Sequence, residues 1–359
     1  MKKTAAIITC IGKSNFGNRL QNYALQKILE DYNFKVETLI NTSLLNNVEN
    51  FEEAEKEYVI YQAEKDKRDY ENRHRIAYFE EFDKNVKFAP GMITAKNLPD
   101  TNYDYYIVGS DQIWNPFHGK LRDLDLLYCI PNEKRISYAA SIGIDEIPQK
   151  FQEKTKRELS KFKAISVREH KGKELIEELT GRTDVEVNLD PTMLLTKEEW
   201  SKLAKKPKQL KTDRFILNYF LGKLSPEREA EINRIATKNN CEIINILDKE
   251  GPFYETGPSE FLYLEQNAFL ICTDSFHSSV FALLFNRPFI IFNREDAQQS
   301  MNSRLETLVK TFNLKNRNYT GKITEENLNH DYTEAYKLLD IERKKAHNFL
   351  KQALNIEEQ

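Results

Sequence analysis

Apolar residues fall along this chain in two forms, short unbroken runs and longer stretches with a helical period. Residues 4–10 (TAAIITC) form a β-branched apolar run. The loop Gly12-Lys13-Ser14-Asn15-Phe16-Gly17-Asn18 follows, and residues 19–32 then carry Leu20, Tyr23, Ala24, Ile28 and Leu29 at helical spacing. The pattern reads as strand, glycine-containing loop and helix. It returns with apolar runs at 36–40, 105–108, 136–140 and 165–167, a charged helical stretch over 52–87, and amphipathic stretches over 151–161 and 171–179. Near-continuous apolar strands separated by helices predict a parallel sheet covered on both faces.

The pattern changes near Leu195. Residues 202–211 are lysine-rich, contain Pro207 and hold no apolar run, which predicts a linker over 196–212. A second series follows, with strands over 215–221, 242–247, 269–272 and 289–292 and helices over 226–239, 259–267 and 277–285. In the last segment, 332–354, Leu338, Leu339, Ile341, Ala346, Phe349, Leu350 and Leu354 suit one helical face. The predicted organisation is α/β: a Rossmann-like domain over 1–195, the linker, a second Rossmann-like domain over 213–330, and a C-terminal helix over 331–359 crossing back to pack on the first domain. Two Rossmann-like domains facing across a cleft, with parallel sheets covered by helices, correspond to the GT-B architecture of glycosyltransferases, which does not by itself name a reaction.

Composition narrows the class. At 359 residues the chain exceeds what one core usually fills. With 40% hydrophobic and 30% charged residues it is neither a disordered chain nor a membrane bundle. The opening Met1-Lys2-Lys3-Thr4 leads into an apolar run too short for an export signal or a spanning helix, so no integral membrane segment is expected. Cys10, Cys129, Cys241 and Cys272 are widely spaced, and three lie in apolar runs, which reads as buried free thiols in a reducing compartment. With 53 basic and 56 acidic side chains the net charge is −3, and no overall field recruits nucleic acid. His74, His118, His170, His277, His330 and His347 are scattered without metal-ligand spacing, so no metal site is predicted.

Candidate chemistry gathers where strands end. The apolar run at 269–272 leads directly into Thr273-Asp274-Ser275-Phe276-His277-Ser278, which opens a helix. Such carboxyl-end turns form ligand crevices in parallel sheets, and a helix N-terminus presents N–H groups and a positive dipole end to phosphate or carboxylate. The bland alternative is that Asp274 or Ser275 only caps the helix and His277 is a hydrogen-bonded bystander. Gly109-Ser110-Asp111-Gln112-Ile113-Trp114-Asn115 follows the run at 105–108 in the same way: glycine permits close backbone approach, the polar groups suit a sugar, and Trp114 could stack on a pyranose ring. There the alternative is a cap at Asp111 and a packed Trp114. Gly17 precedes Asn18, Gln21 and Asn22 on the expected exposed start of the first helix, where amides suit hydroxyl recognition. The second and third glycines of a dinucleotide fingerprint are missing. Arg168 ends the run at 165–167 and would project its planar guanidinium into the same crevice, unless it forms an ordinary surface pair with a glutamate.

Taken together and in order, FGNRLQNYALQ at 16–26, VGSDQIWN at 108–115, ISYAAS at 136–141, SVRE at 166–169, DPT at 190–192, TDSFHS at 273–278 and MNSRL at 301–305 resemble the polysaccharide pyruvyl transferase family. The resemblance implies a metal-independent enzyme of GT-B-like fold that needs no cofactor. Its donor substrate would be phosphoenolpyruvate, from which it builds a pyruvate ketal on a sugar of a surface polysaccharide or its lipid-linked precursor, in the cytoplasm or at the inner face of the membrane. The first domain would be the acceptor side and the second the donor side. The family's central histidine falls on His277, and a donor-binding arginine falls on Arg168, which would hold the carboxylate. Asp111 would orient or deprotonate a sugar hydroxyl, and Ser141, Ser278, Asn302 and Arg304 join the substrate-binding set. Phosphoenolpyruvate must be protonated at its methylene carbon to give an oxocarbenium-like centre that sugar hydroxyls attack, and histidine is the natural proton donor near neutral pH. One departure stands out: some branches place an arginine two residues before the histidine, where this chain has Ser275, so Arg294 or Arg304 would supply that contact. Two other functions fit the same pattern, a GT-B glycosyltransferase using a nucleotide sugar and a non-catalytic sugar- or anion-binding member of the family.

Overall fold

A computed structural model of the chain describes residues 2–41, 66–67, 69–93, 102–119, 121–128, 130–294 and 303–357. They divide into two compact units. The first comprises Met1–Ile76, Glu80–Leu194 and Glu342–Gln359, the second Ala77–Phe79 and Leu195–Ile341.

The first unit is built on a seven-stranded sheet. Its strands are β1 (Thr4–Ile8), β2 (Lys35–Asn41), β3 (Phe88–Ile93), β4 (Tyr105–Val108), β5 (Arg135–Ala140), β6 (Ala164–Val167) and β7 (Glu186–Val187), in the order β3-β2-β1-β4-β5-β6-β7. Every pairing in it is parallel. Strand order reverses between β1 and β4, and open α/β sheets bind ligands outside the carboxyl ends of the strands flanking such a reversal. The central strands are buried along their lengths, as a sheet covered on both faces requires. Helix α1 (Phe16–Asp31) starts directly after the β1 loop, with Asn15 as its cap accepting the Asn18 N–H at 3.4 Å. Of the charged stretch predicted over 52–87, residues 52–65 and 68 lie outside the described residues, and α2 (Arg73–Asp83) forms its end. Strand β3 follows it, unpredicted because it contains Pro90-Gly91. The edge of a sheet tolerates such a proline, since the missing N–H is not needed there. Helices α3 (Gln149–Leu159) and α4 (His170–Thr180) fall close to the predicted stretches.

The second unit has a four-stranded sheet. Its strands are β8 (Phe215–Tyr219), β9 (Glu242–Asn245), β10 (Leu270–Thr273) and β11 (Phe289–Ile291), all parallel, in the order β11-β10-β8-β9, so its reversal lies between β8 and β10. The linker predicted over 196–212 is corrected at its start. Thr196 and Glu199 form a reciprocal cap on α5 (Lys197–Ser201), with Thr196 N–H donating to Glu199 Oε2 at 2.8 Å and Glu199 N–H to Thr196 Oγ1 at 3.2 Å. Trp200 is fully buried, its ring edge-on to Phe281 at 5.2 Å, so this segment is folded structure of the second unit. Helices α6 (Pro226–Asn239), α7 (Pro258–Asn267), α8 (Phe276–Leu284) and α9 (Ser303–Thr311) complete it.

The C-terminal helix α10 (Thr333–Ala353) contributes to both units, the division falling between Ile341 and Glu342. Within the first unit Phe349 lies on Tyr138 at 6.3 Å between ring centroids, and Arg343 Nε donates to the Met193 carbonyl at 2.7 Å. Within the second, Tyr336 Oη donates to the Leu283 carbonyl at 2.9 Å. No described helix is long and apolar enough to cross a membrane.

Candidate functional site

In the first unit the carboxyl ends of β4 and β6 carry a buried polar cluster. Arg168 follows β6 with its side chain 1% exposed. Its guanidinium donates to Asp190 Oδ2 at 2.8 Å and to Asp111 Oδ1 at 3.4 Å, and Ser110 Oγ donates to the same Asp190 oxygen at 2.7 Å. Asp190 Oδ1 in turn accepts the Thr192 N–H at 2.9 Å and its hydroxyl at 2.6 Å. Burial disfavours the arginine's charge, but Asp190, Asp111 and Glu169 outweigh it and hold the guanidinium above its ordinary range. The surface pair with glutamate is thereby excluded, because Glu169 Oε1 instead accepts the Ser141 hydroxyl and the N–H groups of Ile142 and Gly143. Where Arg168 was expected to meet a donor carboxylate, its guanidinium is engaged by two carboxylates of the chain itself.

Asp111 sits at the reversal point with φ 72°, a left-handed conformation that costs an ordinary L residue about 1–2 kcal/mol and that Asp tolerates better than most. Its carbonyl accepts the Ile113 and Ser141 N–H groups at 2.8 and 2.9 Å, and Gln112 N–H donates to its carboxylate at 2.9 Å. At Gly109, two residues earlier, a Cβ would lie 3.2 Å from Thr9 Cβ and 3.3 Å from Leu25 Cδ2, tighter than ordinary packing, so a larger residue would need these side chains to give way.

Several sequence-predicted positions turn inward. Trp114 belongs to the core, its Nε1 donating to the Asp125 carbonyl at 2.8 Å and its ring edge-on to Phe162, so it offers no face to a sugar. Gln21 and Asn22 are fully buried rather than exposed, Gln21 Nε2 donating to Thr9 Oγ1 at 2.8 Å and Asn22 Nδ2 to Thr38 Oγ1 at 2.8 Å. Gly17 is buried in the first turn of α1 and Asn18 is partly exposed. Ser110 and Ser141 are buried and serve the network just described. Gln112 is partly exposed and accepts from Asn115 Nδ2 at 3.2 Å. Phe117, unremarked in the sequence, is 71% exposed three residues beyond Trp114, and the Asn115 side chain accepts its N–H at 2.9 Å.

In the second unit the reversal point is tied together by Asp274. Its Oδ1 accepts the Leu221 N–H and its Oδ2 the Gly222 N–H, both at 2.7 Å, and Arg294 Nε donates to Oδ2 at 3.1 Å. This joins the ends of β8, β10 and β11. Ser275 caps α8, accepting the Ser278 N–H at 3.5 Å, and His277 stands at the second helical position, 5% exposed and edge-on to Phe276. The helix start directs its N–H groups and positive dipole end toward this crevice. Ser278, expected to bind substrate, is fully buried and donates to Glu265 Oε1 at 2.5 Å. Arg304 lies in the first turn of α9, and Asn302 falls outside the described residues.

Among the described residues, no three His, Cys, Asp or Glu side chains gather as a metal site. Cys10, Cys241 and Cys272 are free thiols, and Cys129 lies outside the described residues.

The chain is similar in fold to S. aureus MnaA with UDP (TM-score 0.51, 12% identity, covering 100% of this chain and 98% of that one). It is also similar to a Listeria monocytogenes chain assigned as a UDP-N-acetylglucosamine 2-epimerase (TM-score 0.50, 12% identity, 99% and 94%). These likenesses define its class, the GT-B-like α/β proteins. No curated protein matches it in sequence. The polysaccharide pyruvyl transferase family model matches residues 15–296, and the chain belongs to that family of transferases.

Proposed function

We propose that this protein transfers the enolpyruvyl unit of phosphoenolpyruvate to two hydroxyls of one sugar of a surface polysaccharide or its lipid-linked precursor, forming a pyruvate ketal. The observation that carries the reading is the family match over residues 15–296, which takes in both His277 at the head of α8 and Asp111 at the first sheet's reversal point. His277 gives a proton to the methylene carbon, leaving an oxocarbenium-like centre at C2. One hydroxyl adds there, phosphate leaves with the C–O electron pair, and the second hydroxyl closes the ketal. Of the two hydroxyl protons, one balances the proton given to carbon and the other leaves with phosphate.

The start of α8 suits the phosphate, with Arg294 fixed beside it through Asp274 in place of the arginine that Ser275 does not supply. Arg168 acts as a positioning residue, holding Asp111 for a sugar hydroxyl. Phe117 offers the exposed aromatic face for the pyranose ring that Trp114 cannot. The donor, an enol phosphate of central metabolism, sets the reaction in the cytoplasm or at the inner face of the membrane, and no metal takes part.

The test is phosphate release that requires both phosphoenolpyruvate and a sugar acceptor, together with a thermal shift by phosphoenolpyruvate. A shift by UDP, GDP or CMP sugars with none by phosphoenolpyruvate would point to a glycosyltransferase instead. Binding of phosphoenolpyruvate without turnover on any acceptor would point to a binding protein.

A further inference from the structure

Helix α7 buries Pro258, Phe261, Leu262 and Glu265, positions that share one face at helical spacing, so a carboxyl group stands where the pattern calls for an apolar side chain. Glu265 is fully buried. Its Oε1 accepts the Ser278 hydroxyl at 2.5 Å, and its Oε2 has no hydrogen-bond partner. The two helices meet at a second point, where the Phe261 and Phe281 rings lie edge-on at 5.8 Å. Glu265 is one turn beyond Phe261 and Ser278 about one turn before Phe281, so α7 and α8 run antiparallel with the carboxyl set against the first turn of α8. Burial pushes that carboxyl well above the ordinary carboxylate range, while the Ser278 hydrogen bond works in the other direction.

An apolar pair at 265 and 278 would fill this place without leaving a buried oxygen unpaired, so stability does not account for the carboxyl group. The residue it grips is the immediate neighbour of His277. We infer that Glu265 is a positioning residue that fixes the first turn of α8 through Ser278 and so sets the orientation of the His277 ring. The inference rests on the reading of His277 as proton donor and adds the group that aims it.

Full-length protein carrying Glu265→Met, close in volume but unable to accept from Ser278, separates this role from packing. The expected result is a fall of tenfold or more in kcat with donor KM within twofold and a melting temperature only a few degrees below the parent's, since the buried Ser278 hydroxyl loses its acceptor. Glu265→Gln, which keeps the acceptor, restores most of the turnover. The ring signals of His277 in proton–nitrogen spectra, identified by their loss in His277→Gln, shift in Glu265→Met while those of His330, which meets the Asn286 carbonyl beyond the other end of α8, stay in place. Turnover of Glu265→Met within twofold of the parent, or a loss matched by a lower melting temperature and not rescued by Gln, would overturn the inference. An unmoved His277 signal would do the same. Because the spectrum needs no turnover, a moved ring in a protein that never releases phosphate would leave the positioning role standing while removing the proposed reaction.

Discussion

Removing the Asp190 carboxylate takes away the group on which a buried ion pair and three further hydrogen bonds of the first unit converge. Asp190→Ala leaves the Arg168 guanidinium, 1% exposed, with Asp111 at 3.4 Å as its remaining carboxylate of the two, and it strips the acceptor from the Ser110 hydroxyl, the Thr192 N–H and the Thr192 hydroxyl. Breaking one side of a buried ion pair costs about 3–5 kcal/mol, and each buried donor left without an acceptor adds about 1–3 kcal/mol before relaxation. These terms share one cavity and do not sum, so the expected loss is about 4–6 kcal/mol. At about 2–4 °C per kcal/mol for a unit of this size, the first unit should melt at least ~8 °C lower. Trp114 lies in the first unit and Trp200 in the second, so Trp114 fluorescence in a Trp200→Phe background follows the relevant transition. Arg168→Met added to Asp190→Ala should recover part of the loss, because an uncompensated buried charge is then removed. A shift under about 3 °C for Asp190→Ala would refute the account of the cluster. Arg168→Lys is a second check: an ammonium cannot span two carboxylates as the planar fork does, so stability should fall. If Arg168→Lys raises donor KM while melting is unchanged, the arginine meets substrate after all.

Three further outcomes test the proposed chemistry. His277→Gln should lower kcat by about 10²- to 10⁴-fold, roughly 3–5 kcal/mol of barrier, with a near-parental circular dichroism melt; near-normal turnover would remove the proton donor from the mechanism. Phe117→Ala should raise acceptor KM about tenfold and leave donor KM and melting temperature unchanged, since the ring is 71% exposed and contributes little to the core. An unchanged acceptor KM would dismiss the stacking face. Activity should survive dialysis against EDTA, and loss restored by a divalent ion would contradict the metal-independent reaction.

The two parallel sheets were legible because their central strands are buried on both faces, and such strands must read as unbroken apolar runs. The exceptions lie at sheet edges, where that constraint relaxes: β3 tolerates Pro90, and β7 is only two residues long. The candidate site was legible for a related reason. Glycine, Asp and Ser clusters directly after apolar runs mark the carboxyl ends of strands, and the reversal points of both sheets fall there, at Asp111 and Asp274.

What could not be read is which way a polar side chain faces, because that is decided by partners far away in sequence. Gln21 and Asn22 look like surface amides until Thr9 and Thr38 bring hydroxyls to them across the β1–β2 side of the sheet, and Trp114 looks available until the Asp125 carbonyl takes its N–H. Ser278 is the more telling case, because a sequence signal did exist. A serine next to the candidate histidine invites a substrate role, yet thirteen residues earlier the apolar face of α7 is broken by Glu265, and a carboxyl on a buried face needs a donor. The break in an otherwise consistent hydrophobic pattern located the partner that a motif centred on His277 leaves out. Local rules fail where a protein holds something other than stability in place. Asp111 in its left-handed conformation and Glu265 with an unpaired oxygen are two such failures: the first is itself assigned to a sugar hydroxyl, and the second grips Ser278, the chain neighbour of His277.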